Sequence, residues 1–481
     1  MILEPEDPRQ MEFVCRADIV QEEPLVQVVS DVVSELDLGR LYERYREGGR
    51  PFFDPAMQLK VLFFAYCDGV RSSRAIAKHT RFDIRYRYFC GSLRPDFRTI
   101  NRFRKDNLDL LGDYFAQIVL MCRERGLVDS SLVALDGTKI RASASGRKSR
   151  RRSQRHGLSA VFRKRLSEDA AAEDDSETVA VGDTPEENDG RGLEVSDPDA
   201  RYMKTSEKSL RLSYNSQVVV DRNQFIVAQD VTNCADDKVQ LQPMLEQSKQ
   251  VLGHPPARAV VDAGYYSGEN LSYGVKEGID LYIPPARTGR VPDERFHRYE
   301  FEYESSTDRY RCPAGQYLTF RGSRRRDGKT IRLYAGGAAT CGCCQFRQQC
   351  TTGRYRRLDV SSHHLHERAM QRKMASEQGR QVSACRKHMV EAVFGNMKFN
   401  LGFARFQLRT IPKVAGEFAL MCIAHNLKKI LTHGFVRPKK ALSAAHSTIN
   451  GLCMALLLIL SLLEPINRPD NGKDPLLASI T

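Results

Sequence analysis

Two short apolar runs that each end in an aspartate constrain the fold of this chain more than any other feature. Leu132-Val133-Ala134-Leu135 leads into Asp136, and Ala259-Val260-Val261 leads into Asp262. Uninterrupted apolar stretches of this length read as strands buried on both faces. Between them, residues 214–220 and 225–231 flank the turn Asp221-Arg222-Asn223-Gln224 and predict an antiparallel hairpin. A helix over 237–252, the strand 258–262, a helix from about Ser267 and a strand at 280–283 complete the series. The order is strand, hairpin, helix, strand, helix, strand. A right-handed crossover then sets the second Asp-bearing strand beside the first, with both carboxyl ends on one edge.

A third acid, Glu391, lies in the helical stretch 386–395. Packed across that sheet edge, the helix would bring it to the two aspartates. Three converging carboxylates repel one another unless hard cations neutralise them. Two Mg²⁺ ions about 3.5–4 Å apart would do so, activating a water or a 3′-hydroxyl at a phosphodiester. Ligands that are all oxygen favour Mg²⁺ or Mn²⁺ over zinc. The plainer reading makes each acid a turn or cap residue, since Asp-Gly after a strand is ordinary turn chemistry.

Composition narrows the partner. Lys and Arg number 74 against 60 Asp and Glu, a net charge of +14 with a pI near 9.2. That excess favours a polyanion, because cations release the counterions condensed on phosphate backbones. Ribosomal or membrane-surface binding would account for the charge equally well. The 13 cysteines are too scattered, in too long a chain, for a secreted disulfide scaffold. The acidic start lacks the features of a signal peptide. The longest apolar run, 452–463, has 12 residues, short of the ~20 a membrane helix needs. A cytoplasmic protein with no membrane partner is expected.

Upstream of residue 129 the pattern is helical. A helical region is expected around 26–45, and residues 55–68 read as a buried helix with Pro55 in its first turn. Ser72-Ser73 can cap a following helix. Pro95-Asp96 precedes another, in which Ile100, Phe103 and Leu111 face the core while Arg98, Arg102, Arg104 and Lys105 face water. Short helices with a basic outer face suit DNA contact, although a packing domain with solvated charges would look alike. Residues 141–165 carry ten Lys/Arg and no acid, whereas 168–199 carry 13 acids and one Arg. Such segregated blocks rarely fold alone. The basic block could track DNA and the acidic block could mask it or act as a plain linker. Farther on, Cys312 and Cys341-x₂-Cys344-x₅-Cys350 could furnish four thiolates to a structural Zn²⁺, or stay reduced thiols in a β-rich insertion. The cluster His363-His364-x-His366 reads as a solvated loop.

Several segments, in order, resemble DDE-type insertion-sequence transposases, in the branch whose ribonuclease-H-like core is interrupted by an insertion. They are Gly69–Ala77, Pro95–Arg104, Leu135–Ser145 around the first Asp, Asp197–Arg201, Tyr214–Gln217, Val261–Ser267 around the second Asp, Val390–Lys398 around the Glu, and Ala424–Lys429. The resemblance implies an α/β fold: a ribonuclease-H-like mixed sheet flanked by helices, an all-α N-terminal domain and a β-rich, Cys-containing insertion. Expected divisions are a helical DNA-binding domain (1–128), the first part of the core (129–285, with a charged flexible insert at 146–196), the insertion (286–380), the Glu helix and closing helix (381–433) and a tail (434–481). Asp136, Asp262 and Glu391 would be catalytic metal ligands. DNA contacts would come from Lys139, Arg386, Lys387, Lys398, Arg102, Arg104 and Lys105, with Lys398 two turns along the helix from Glu391. A tyrosine that often precedes the basic pair is replaced by Ser383. The implied function is a bacterial, nucleoid-associated transposase. It would bind terminal inverted repeats and target DNA, act as a homodimer on DNA, take no small-molecule substrate, and cleave and join strands. The alternatives are a non-catalytic DNA-binding repressor derived from a transposase and a nuclease that cuts without joining.

Overall fold

The computed structural model describes residues 23–45, 52–144, 197–205, 209–285, 296–326 and 329–434. The acidic start, nearly all of the two charge blocks and the apolar run 452–463 lie outside the described residues. The described residues up to His433 cluster as one compact unit.

The first third is helical: α1 (Pro24–Glu35), α2 (Gly39–Tyr42), α3 (Pro55–Cys67), α4 (Ser73–Phe82), α5 (Ile84–Cys90), α6 (Phe97–Asp106) and α7 (Leu110–Glu124). Asp54 starts α3 by accepting the amides of Ala56 and Met57, with Pro55 at the position where its missing N–H costs nothing. α3 is apolar on every side and almost wholly buried. Asp96 caps α6 by accepting the Thr99 amide at 2.7 Å. Ser72 begins α4 without a side-chain cap bond, so its expected capping role is not realised.

The central sheet follows: β1 (Val133–Arg141), β2 (Arg201–Lys204), β3 (Leu210–Asp221), β4 (Ile226–Thr232), β5 (Arg258–Val261) and β6 (Asp280–Tyr282), with α8 (Leu241–Leu252) and α9 (Gly268–Glu277) between the later strands. β4, β3 and β1 form an antiparallel meander, and β5 and then β6 continue from β1 in parallel. The order β4-β3-β1-β5-β6 is that of a ribonuclease-H-like sheet. The Asp-bearing strands are neighbours, as the crossover argument requires.

A second, antiparallel sheet runs β11-β10-β9-β8-β7, built from β7 (Glu302–Glu304), β8 (Arg309–Arg311), β9 (Tyr317–Arg326), β10 (Lys329–Ala335) and β11 (Arg357–Ser361). It has its own small core of Phe301, Tyr310, Leu318, Tyr334 and Leu358. Two short helices, α10 (Ala338–Gly342) and α11 (Arg347–Cys350), join β10 to β11. The chain returns through α12 (His364–Ala375) and α13 (Glu377–Arg386) to a π-helical turn, Lys387–Glu391. That turn continues as α14 (Ala392–Gly395) and a second π-helical turn, Asn396–Asn400. The last helix, α15 (Ile411–His433), packs against α1, α3, α7 and β4 together.

Candidate active site at the sheet edge

Asp136 does not end its strand. β1 runs on to Arg141, paired with β3 from Val133↔Asp221 through Arg141↔Ser213. Asp-Gly is therefore mid-strand rather than turn chemistry. Gly137 faces Gln217, and a Cβ on Gly137 would lie 2.3 Å from the Gln217 amide nitrogen, so glycine is required there for close approach. On the other edge of β1, Leu135 pairs with Val261, which puts Asp136 and Asp262 side by side as the next residues of parallel strands. Asp262 then begins a 3₁₀ turn, Ala263–Tyr265.

The two carboxylates share one cation. Arg386, at the end of α13, donates to Asp136 Oδ2 at 2.5 Å and lies 3.7 Å from Asp262 Oδ1. Its side chain is only 16% exposed. Burial pushes the Asp136 carboxyl up to about 6, against the pull of Arg386 and the Gly137 amide; the neighbouring Asp262 adds to the rise. The donor chemistry suits a hard cation, with two ionisable oxygen ligands adjacent on a partly desolvated edge. Glu391 stands on the π-helical turn that packs against β1 and β3, and its side chain is exposed. Among the described residues, no group of three or more His, Cys, Asp or Glu side chains is gathered to hold a metal ion. The structure thus joins Asp136 to Asp262 and brings the Glu391 element to the same sheet without drawing its carboxylate into a three-acid cluster.

The π turns alter one expectation. Their i→i+5 hydrogen bonds wind the chain more slowly than an α-helix, so seven residues from Glu391 to Lys398 are not two turns on one face. Lys387 is exposed and Lys398 half-buried.

A fourth carboxylate, Asp237, was missed. Its Oδ1 accepts from Asn215 Nδ2 at 2.7 Å, Gln217 Nε2 at 2.9 Å and Lys139 Nζ at 3.2 Å. Gln217 Oε1 accepts from the buried Tyr265 hydroxyl, so the network ties the turn after Asp262 to the strand that carries Asp136. Lys139, expected to contact DNA, is instead held by this internal ion pair with its side chain 17% exposed. A signal was present in Asn215 and Gln217, two amide side chains set two residues apart on one face of β3.

Arg104 needs correction. It is buried at 5% exposure, donating to the Arg71 carbonyl at 2.9 Å and the Tyr66 hydroxyl at 3.3 Å. It anchors α6 inward and does not face water, whereas Arg98, Arg102 and Lys105 are exposed as expected. His364 is also corrected: it is buried at the start of α12, stacked edge-on to Tyr303, with Nδ1 3.0 Å from the Ser361 carbonyl. Cys312, Cys341, Cys344 and Cys350 line one cavity of about 30 Å³ with Phe296 and Phe346. The Gln316 amide donates to Cys312 Sγ at 3.3 Å.

Sheet order and the adjacent aspartates carried by the neighbouring strands β1 and β5 fit the ribonuclease-H-like class. Residues 311–431 match the family described as "Transposase DDE domain", and residues 14–106 match "Transposase domain (DUF772)". Both stretches are therefore similar to transposase domains, the later one to a DDE domain. No curated protein matches it. Among solved structures it is similar to a piggyBac transposase synaptic complex with hairpin DNA, at 10% identity and a TM-score of 0.31, covering 85% of this chain and 74% of that one. It is also similar to a Mos1 transposase paired-end complex with left transposon end, at 8% identity and a TM-score of 0.16, covering 50% and 65%. Among the described residues no helix is long and apolar enough to cross a membrane.

Proposed function

We propose that this transposase binds the terminal inverted repeats of its own element and cuts and rejoins DNA by metal-dependent phosphoryl transfer at the edge formed by β1 and β5. The observation that carries this reading is the pairing of Leu135 with Val261, which makes Asp136 and Asp262 adjacent carboxylates under one guanidinium. DDE transposase domains generally use divalent ions. Mg²⁺, with Mn²⁺ as a substitute, would be held by Asp136 and Asp262 with Glu391 as the third ligand from the adjoining turn. Bound there, two such ions supply Lewis-acid activation of the attacking oxygen and charge relief at the leaving one.

The chain's own residues do the rest. Asp237, Gln217 and Tyr265 fix the Asp262 turn against β1. Arg386 and Lys387 stand at the start of the Glu391 turn and supply positive charge for a phosphate backbone beside the acids, with Lys398 farther along. Arg102 and Lys105 extend the basic surface onto the helical part, and two protomers would hold the two element ends together. The thiols of Cys312, Cys341, Cys344 and Cys350 are the donors that a structural Zn²⁺ would use in the insertion. The divisions at 128, 285, 380 and 433 belong to the same reading.

The test is incubation of the full-length protein and Mg²⁺ with DNA carrying the flanking ends of its gene, and with pre-cleaved ends plus a plasmid target. The expected result is cleavage and joined product. Asp136→Ala should abolish cleavage, by at least about 10³-fold if the residue holds the metal, and leave repeat binding within about twofold. Cleavage without joining would identify a nuclease. Binding without either would identify a repressor.

A further inference from the structure

Gln224 closes the turn between β3 and β4 in a backbone shape that few side chains adopt. Its φ is +67°, in the left-handed region where a Cβ crowds the backbone and glycine or asparagine is more at ease. Among the described residues, only Asp308 and Thr410 share that trait without being glycine. Such strain persists where the surrounding structure holds the residue for another reason.

The side chain supplies the reason. Its amide nitrogen crosses to the π-helical turn Lys387–Glu391 and donates to the His388 carbonyl at 3.0 Å. Its amide oxygen accepts from Lys429 Nζ at 3.3 Å, and its backbone carbonyl lies 2.8 Å from His425 Nε2, both partners standing on α15. His425 is buried, and burial pushes its imidazole down to about 4, so the ring is neutral. Its Nδ1 accepts the Asn396 side-chain amide at 3.0 Å in the second π-helical turn, which leaves Nε2 to donate to Gln224. One hairpin turn therefore holds both π-helical turns, the first directly and the second through His425.

A side-chain donor pressed on a helix carbonyl from outside disturbs the regular ladder and favours irregular winding. His388 lies three residues before Glu391, so the grip acts inside the turn that carries the acid. Glu391 itself is exposed. The backbone of its turn, and not the packing of its own side chain, decides where its carboxylate stands. Asparagine would suit the Gln224 backbone better, but its amide is one methylene short of the same reach.

We infer that Gln224 is a positioning residue for phosphoryl transfer: its amide clamps the His388 carbonyl and fixes where Glu391 stands relative to Asp136 and Asp262. The inference rests on the transposase reading above and adds to it a residue far from the acids in sequence.

Two measurements on the full-length protein test it: steady-state cleavage of duplexes carrying the flanking ends of its gene with Mg²⁺, and hydrogen–deuterium exchange without metal or DNA. Q224E keeps the length but cannot donate to the His388 carbonyl; Q224G also relaxes the backbone. In both, kcat should fall about 10- to 100-fold, the loss a misplacement near 1 Å brings, while KM for DNA stays within about twofold. Exchange over residues 387–396 should quicken at least about threefold, with the central sheet unchanged. Q224G should melt no lower than the wild type. An unchanged kcat in both variants overturns the inference and leaves the transposase reading standing. Faster exchange spread over the whole chain, with a lowered melt, overturns it too, because Gln224 would then serve only the fold. Failure of the wild type to cleave any end-bearing duplex sinks the underlying reading instead, and exchange alone then decides whether Gln224 holds the turn.

Discussion

Asp221, which ends β3, shows how far a single side chain can depart from its sequence reading. As a turn residue it should be solvated, yet it is fully buried, accepting the Phe225 amide on one oxygen and the Asp129 amide on the other, each at 2.7 Å. Burial outweighs these donors and pushes its carboxyl up to about 7. The folded state therefore holds this proton more tightly than the unfolded chain, whose carboxyl titrates near 4. Its contribution to stability is fully present below pH ~4 and is lost as pH rises to about 7, on the order of a few kcal/mol. Asp221→Asn should flatten the urea midpoint against pH over that window; an unaltered pH profile would count against the assignment. Other residues were legible for simple reasons. Asp136 and Asp262 each followed an apolar run, and burial of such runs is dictated by composition. Arg104 was not legible, because an arginine that donates to the Arg71 carbonyl, the Tyr66 hydroxyl and the Asn101 side chain inside a helical cluster has the same local sequence as one that faces solvent.

At the scale of elements, motif residues outside the acids turn out to be fasteners. Asp197 accepts from the Tyr214 hydroxyl and the Thr410 amide, and Asp199 accepts the Ile411 amide, so the Asp197–Arg201 segment meets the start of α15. Near the other end of α15, Asn426 behaves as a piece of strand: it accepts the Ile226 amide at 2.9 Å and donates to the Ile226 carbonyl at 2.8 Å. His425 beside it meets the Gln224 carbonyl and the Asn396 amide. Asn426→Ala leaves both backbone groups of Ile226 buried without partners and should cost about 2–5 kcal/mol. Urea denaturation measures it, and a loss under about 1 kcal/mol would mean that water replaces the amide. Strands, hairpin and helices were readable because period-2 and period-3.6 patterns are local. The π turns around Glu391 were not, since nothing in the apolar spacing separates a wide turn from an ordinary one.

For the molecule as a whole, the sequence divides more readily than the core does. A composition change near residue 129 marks where helices give way to strands, but α15, drawn from the far end of the chain, buries one flank against α1, α3 and α7 and another against β4. Long-range partners of this kind leave no trace in a local window. The helical part and the central sheet share that helix, so they should melt together. Calorimetry of the full-length protein should give one transition for both, with near- and far-ultraviolet circular dichroism coinciding; an early loss of helix alone would show two independent bodies.

The guanidinium that spans Asp136 and Asp262 changes what any metal titration of this protein measures. A dication entering between those carboxylates does not meet bare ligands. It must evict a resident charge, so the affinity recorded is an exchange constant, the preference of the pair for one visitor over its own arginine, and is weaker than the oxygen atoms alone would give.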